Sequence, residues 1–226
     1  MSVLIACEES QIVTRAFRNL NIEAWSCDLQ ECSGGHPEWH LQMDVFEAVK
    51  LKEWKMMIAF PPCTYLSSAG LHYCNIERHG QKAIDRIKKR NKAIEFFLDL
   101  YSLPIEYICI ENPVGHISSN ILKPTQIIHP YYFGDNDMKR TALWLKNLPP
   151  LQYRKENDLF GFKTATEKPV PYQVQIRKAT GQIKKRYFTD SIVNNKFRSA
   201  KEKSKTFQGI AHAMADQWSC VLENCF

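Results

Sequence analysis

Two short segments hold residue types that can do covalent chemistry. The first is Ile58-Ala59-Phe60-Pro61-Pro62-Cys63-Thr64-Tyr65-Leu66, and the second is Tyr107-Ile108-Cys109-Ile110-Glu111-Asn112-Pro113. Each reads as an apolar strand followed by a reactive side chain with proline beside it. Cys63 supplies a thiol and Glu111 a carboxyl group. A carboxylate raises the pKa of a neighbouring thiol, so the two make a poor hydrolytic couple. They make sense with a substrate between them, the thiol attacking one atom and the carboxyl group hydrogen-bonding another. Taken singly, each has an ordinary structural reading: Cys63 as a small buried hydrophobe, Glu111 as a helix-capping acid.

The elements around them must bring the two together. The apolar run Met56–Phe60 stops at a double proline, which cannot continue a central strand, so Cys63 is the first residue past that restraint. Tyr107–Ile110 is a second buried strand. Between them lies the clearest helix in the chain, Lys82–Tyr101, with Ile84, Ile87, Ile94, Phe97 and Tyr101 on one face. Its expected role is packing on the sheet. One such crossover helix suits two parallel strands. Their shared carboxyl-terminal edge is where ligands bind in open α/β sheets. Ser67-Ser68-Ala69-Gly70 reads as a flexible loop, able to act as a lid.

The first 50 residues predict a nucleoside-binding unit. Val3–Ala6 is a strand and Cys7-Glu8-Glu9-Ser10 a turn. Ile12, Val13, Ala16, Phe17 and Leu20 recur at helical spacing, with Ser10 as the expected N-cap. Ile22–Ser26 is a second strand running to Asp28, an acid placed to accept from ribose hydroxyls. The turn lacks Gly-x-Gly, which argues against a dinucleotide. Asp28 alone could equally be a surface turn acid. Residues 29–43 read as irregular. Cys27, Cys32, His36 and His40 have spacing that could suit zinc, but Cys27 belongs at a strand end in a short loop, so no metal is expected. Asp44 precedes a helical stretch over Val45–Leu51. It is either an N-cap or a contact to an adenine amino group.

Downstream, Ile127–Phe133 and Thr141–Leu145 read as strands, and Pro149-Pro150 as a boundary. From Lys139 to Lys205 there are 17 Lys/Arg and 5 Asp/Glu, a balance of +12 against −6 for the rest. Interspersed aromatics, including Tyr153, Tyr172 and Tyr187, suit contact with phosphate and base more than a merely solvated face. Thr206-Phe207-Gln208-Gly209-Ile210 leads into a final apolar helix reaching Leu222. A chain of 226 residues suits one domain with a small appendage. No apolar run approaches the roughly 18 residues of a membrane span. With no signal peptide read at Met1–Ala6, the chain is expected to be intracellular and its eight cysteines reduced.

With Pro61-Pro62-Cys63, Glu111-Asn112-Pro113 and a helix between them, the chain resembles DNA (cytosine-5)-methyltransferases. It is most similar to the short phage- or prophage-type members, a group tied to restriction-modification. The resemblance covers most of residues 1–145 and again 204–220. It implies a doubly wound, mostly parallel α/β sheet of the Rossmann-like S-adenosylmethionine-dependent type. The catalytic domain would be residues 1–148 with 204–226, and 149–203 a reduced, basic target-recognition-like segment. It implies methyl transfer from S-adenosylmethionine to C5 of cytosine in DNA, through a covalent adduct between Cys63 and C6. Glu111 would hydrogen-bond the N3 and amino edge of the base, Asn112 would brace the Cys63 loop, and Arg140 would touch backbone or base. Glu9, Ser10, Asp28, Asp44, Pro61, Thr206 and Gly209 would face the cofactor. Ser67, Ser68, Lys139, Arg140, Thr141, Lys184, Lys185 and Arg186 would face DNA. The implied setting is the cytoplasm of a bacterial or phage-infected cell.

The chain departs from the family at the first loop, which has no glycine, and at Pro113, where valine is usual. Roughly 60 residues separate Thr141 from Thr206, little for an independent recognition domain. Two other readings stay open. One keeps the chemistry and changes the substrate to RNA or a cytidine nucleotide. The other is a non-catalytic DNA-binding regulator that retains the fold.

Overall fold

A computed structural model describes residues 1–153, 168–176, 181–187, 192–193, 196–197 and 206–222. In chain order the first elements are β1 (Ser2–Ala6), α1 (Ile12–Arg18), β2 (Glu23–Asp28), β3 (His40–Gln42), α2 (Val45–Ala48) and β4 (Met56–Ala59). Then come α3 (Ser68–Leu71), α4 (Ile76–His79), α5 (Gln81–Ser102), β5 (Tyr107–Pro113), α6 (His116–Asn120), β6 (Gln126–Ile128) and β7 (Thr141–Lys146). Beyond these are β8 (Gln173–Ile176), β9 (Ile183–Arg186), β10 (Ile192–Val193), β11 (Lys196–Phe197) and the closing helix α7 (Gln208–Leu222).

Seven strands form one sheet in the order β3-β2-β1-β4-β5-β7-β6. β7 alone runs against the others, inserted between β5 and β6. Strand alternation sends successive residues to opposite faces. Val3, Ile5, Met56, Ile58 and Cys109 pack under Val13 and Phe17 of α1 and Ile210, Met214 and Trp218 of α7. Leu4, Met57, Ile108, Ile110 and Trp144 pack under Val45 of α2, Phe97 and Leu100 of α5 and Ile117 of α6. Both faces are therefore covered, which is why the central strands read as unbroken apolar runs. The expected fold class is the observed one.

Several local expectations give way. Residues 40–42 are not irregular: β3 pairs with β2 at the sheet edge, too short and polar to show in the sequence. Ile127–Phe133 is a three-residue strand followed by a 3₁₀ turn starting at Pro130, where the missing N–H stops the ladder. Residues 67–70 are not a loose loop, since Ser68 opens α3 and Ser67 bridges to Gly115. Ser10 does not cap α1. Gln11 occupies that position in a left-handed conformation, and the capping carboxylate comes from Glu8. The face of α5 is also shifted: its buried residues are Ala83, Phe97 and Leu100, while Ile84 is exposed.

At Pro149-Pro150 the chain does not leave the body. Leu148 and Leu151 are buried in the core, and Trp218 donates its indole N–H to the Pro149 carbonyl. Of the 149–203 segment, β8 and β9 form a two-stranded antiparallel hairpin. Arg154, Lys155, Phe160 and Phe162 fall outside the described residues. No helix among the described residues is long and apolar enough to cross a membrane.

Candidate active site

The Cys63 loop begins where β4 ends. The Phe60 amide makes the last sheet bond, to Ala6, and the two prolines that follow have no N–H to give. The chain then turns on the Cys63 carbonyl, which accepts from the amides of Leu66 and Ser67, both at 3.0 Å. Three neighbours hold this turn. Arg86 of α5 donates to the carbonyls of Thr64 at 3.0 Å and Gly70 at 3.1 Å. The His116 amide donates to the Leu66 carbonyl at 2.7 Å. Asn112 Nδ2 donates to the Pro61 carbonyl at 2.8 Å in the interior. The side chain at Gly115 must be absent, because a Cβ there would collide with the Leu66 carbonyl. Residues 67–70 are thus part of the clamp and not a lid. Helix α5 does more than pack, since its Arg86 fixes the loop.

Glu111 stands on the neighbouring strand. β4 and β5 are parallel, with Ala59 opposite Ile110, so Cys63 and Glu111 follow at the same edge of the sheet. Glu111 is not past the strand, as the proline suggested. It pairs with Leu143 of β7 and Asn112 with Ala142, which hold both side chains in register. Burial pushes the Cys63 thiol up and the Glu111 charge pushes it further, while Lys139 pulls it down. Burial raises the Glu111 carboxyl as well, again opposed by Lys139. Lys139 is therefore the cation of this group, where the sequence pointed to a nucleic-acid contact. The buried Oδ1 of Asn112 has no hydrogen-bond partner among the described residues, leaving an acceptor beside the site.

A cavity of about 610 Å³ opens next to this loop, over the ends of β1 and β2. Asp28, Met43, Asp44, Val45, Phe96 and the loop residues Pro62, Thr64 and Tyr65 are among its walls. It lies at the switch in strand order between β1 and β4, where open α/β sheets bind ligands. Its size is that of a small-molecule site. Asp28 ends β2 and takes the Gln30 amide on one oxygen at 2.9 Å. Asp44 is the N-cap of α2, accepting from Phe46 at 2.8 Å, and lines the cavity as well. The N-cap reading of Asp44 is the observed one, and its place in the cavity wall is compatible with a ligand contact.

The other residues expected to face a cofactor are not among the walls of this cavity. Glu9 is tied to Ser33 through backbone and side chain. Ser10 presses its carbonyl on Gly34, and Pro61 is buried under Asn112. Thr206 precedes α7 and is partly exposed. Gly209 packs against Phe133 and gives its amide to Asp135 at 2.9 Å, which makes it a close-packing glycine.

Two residues of the first loop went unrecognised. Glu8, 3% exposed, accepts from the amides of Val13 at 2.7 Å and Thr14 at 3.2 Å and from the Thr14 hydroxyl at 2.7 Å. Burial raises its pKa to about 7 against the lowering effect of those bonds. Gln11, fully buried, donates to Ser26 and to the His36 carbonyl and accepts from the His36 amide. It stitches the 32–36 loop to the sheet. Cys7 and Gln11 both have left-handed backbone, at φ 58° and 56°, where glycine is the usual choice. The glycine-free loop is thus glycine-like in path, and its polar side chains do the bracing.

Of the residues expected to face nucleic acid, Arg140 and Ser68 are exposed and Ser67 is half-buried. Thr141 is 2% exposed and pairs within the sheet, so it is a core residue and not a surface contact. Lys184, Lys185 and Arg186 make up the outer strand β9, with Arg186 donating to Gln175 at 3.1 Å. The four possible zinc ligands have separate partners: Cys27 the Met43 carbonyl, Cys32 the Gln11 side chain, His36 the Trp39 ring and His40 Ser26. No three metal-binding side chains converge among the described residues.

No family model and no curated protein matches the chain. Among solved structures it is similar to a Dnmt2 methyltransferase of S. pombe, with a TM-score of 0.44 and 19% identity over 66% of this chain and 52% of that one. The chain spans about half the length of that structure.

Proposed function

We propose that this protein methylates C5 of cytosine in DNA, with S-adenosylmethionine as the methyl donor. The observation that carries this reading is one juxtaposition: Cys63 and Glu111 lie at the same edge of two parallel strands, with Lys139 acting electrostatically on both, beside a cavity that shares the Cys63 loop. The cavity fits the donor, with apolar walls for a flat base and two acids for hydroxyl and amino groups. Asp28 would take ribose and Asp44 adenine. The donor supplies an electrophilic methyl group when bound.

The residues of the chain prepare the base. Cytosine C5 is a poor nucleophile until C6 is attacked. Cys63 gives up its proton to water, its sulfur bonds to C6, and as the C5–C6 π bond breaks its electron pair becomes available at C5. Glu111, held protonated more readily by burial, hydrogen-bonds N3 and accommodates the electron density that addition pushes onto the ring. Lys139 favours the thiolate at the start. Once C5 carries the methyl group, water takes the C5 proton, the C–H pair restores the C5–C6 double bond, and the C6–S bond breaks to return the Cys63 thiolate. Asn112 keeps the Pro61 carbonyl, and with it the thiol, in place throughout. A base in a duplex must leave the stack to reach this edge.

Nucleoside mass spectrometry after incubation with mixed-sequence DNA and S-adenosylmethionine tests the reaction. The expected result is 5-methyl-deoxycytidine that disappears in Cys63→Ala. Product from RNA alone would move the assignment to RNA. No product from either, in protein that binds the cofactor, would overturn it.

A further inference from the structure

A second cleft, of about 550 Å³, lies on the other side of Tyr65 and Lys89 from the first. Its floor is the amino-terminal half of α5, where Lys82, Arg86 and Lys89 share one face at helical spacing. Its opposite wall is Tyr65, Tyr73 and His79. Arg86 sits 5.1 Å from the Tyr65 ring and 5.4 Å from the Tyr73 ring, and its Nε and Nη2 donate to the Gly70 and Thr64 carbonyls. It therefore fixes the rings, while Lys82 and Lys89 are exposed, Lys89 with its ammonium 6.0 Å from the Tyr65 ring. Tyr73 stays 50% exposed, with the His72 ring tilted against it at 3.9 Å between centroids. Asp85 is the one carboxylate among the described lining residues, and Gln81 donates to it at 2.9 Å.

An exposed, pre-oriented ring beside two exposed lysines is the composition of a stacking platform for single strands. We infer that this cleft holds a nucleotide of the substrate strand next to the target cytidine, its base on Tyr73 and its phosphate between Lys82 and Lys89. The assignment rests on the nucleic-acid reading of the Cys63 site, because the loop that carries Cys63 supplies Tyr65 to the cleft. It places a strand contact on the catalytic body, apart from the basic 139–205 segment.

The test is fluorescence anisotropy of a labelled 12-nucleotide single-stranded DNA with the full chain, Tyr73→Ala and Lys82→Gln, across a salt series. Tyr73→Ala should weaken binding roughly five-fold or more, the loss of one stacked base, with an unchanged salt slope. Lys82→Gln should flatten the slope by about 0.7 for the lost phosphate contact. Wild-type affinity and slope in both variants would overturn the assignment, as would displacement of the strand by equimolar cytidine monophosphate. Thermal midpoints of the variants guard against misfolding, which the exposure of both side chains makes a small concern. If methyl transfer is absent while both binding effects remain, the reaction fails and the cleft stands. If methyl transfer is present with normal strand binding in both variants, the cleft fails and the reaction stands.

Discussion

Cys7 and Cys63 follow adjacent parallel strands, β1 and β4, and stand at the same edge of the sheet. Both thiols are pushed up by burial. Around Cys7 every further charge acts the same way: Asp28, Cys27 and Asp44 all disfavour the thiolate. Around Cys63 one acid, Glu111, is answered by one cation, Lys139. The sheet edge gives both sulfurs access to a ligand, but only one is given a counter-charge. The half of the edge over β1 and β2 collects acids and suits hydroxyl groups or positive charge. The half over β4 and β5 suits a base that must be made electron-rich. Position selects where chemistry can occur, and local charge selects which group performs it.

The sharpest way to break this contrast is to remove each thiol. Cys63→Ala should reduce methyl transfer below detection, whereas Cys7→Ala should keep most of it; equal losses in the two variants would end the distinction. Glu111→Gln should slow the chemical step roughly 100-fold, the scale of a lost acid–base contribution, with cofactor affinity unchanged by calorimetry. A loss of cofactor affinity instead would put Glu111 in the other half of the edge.

On the β1 side the expected effect is on stability. Glu8 has a folded pKa near 7 against an ordinary value of 4.5. The folded state thus binds the proton more tightly, and this group's stabilising contribution is complete below about pH 4.5 and lost as pH rises through 7. The full swing is on the order of 3 kcal/mol. Denaturation of the wild type should therefore show falling stability between pH 5 and 8, and Glu8→Gln should show a flatter curve; parallel curves would refute it. The smallest effect should come from Lys139→Met. Removing the cation raises the Cys63 pKa, so the pH midpoint of thiol alkylation should move upward, with Cys7 alkylation unmoved.

Much of this was legible because it depends on short-range patterns. The apolar runs before Pro61 and Glu111, the long helix between them and the strand–turn–helix at the start locate the sheet and the two reactive residues. Asn112 as a brace also emerges as expected. What escaped was the partner of each polar side chain. Glu8 looked like one of two turn acids, and only the folded turn reveals that its carboxylate enters the interior to cap α1. Thr141 was expected to face DNA beside two cations, yet β7 runs between β5 and β6 and is buried along almost its whole length, Thr141 included. Lys139, expected among the residues facing DNA, also acts electrostatically on the thiol and the carboxyl, which its place in the sequence did not show. Ser67–Gly70 looked mobile by composition but is pinned by Gly115 and Arg86, residues distant in sequence.

The sequence by itself determined the end of the Cys63 strand, since a double proline stops a ladder wherever it occurs, and it determined that a thiol and a carboxyl group lie near the carboxyl-terminal ends of two apolar strands. Tertiary structure decided which charges surround them. That choice depends on β7 entering antiparallel beside β5, so that Lys139, 28 residues after Glu111 in the chain, reaches the same electrostatic group. Backbone propensity is local and can be read in order. Electrostatic interaction depends on distance in space, and strand pairing sets that distance.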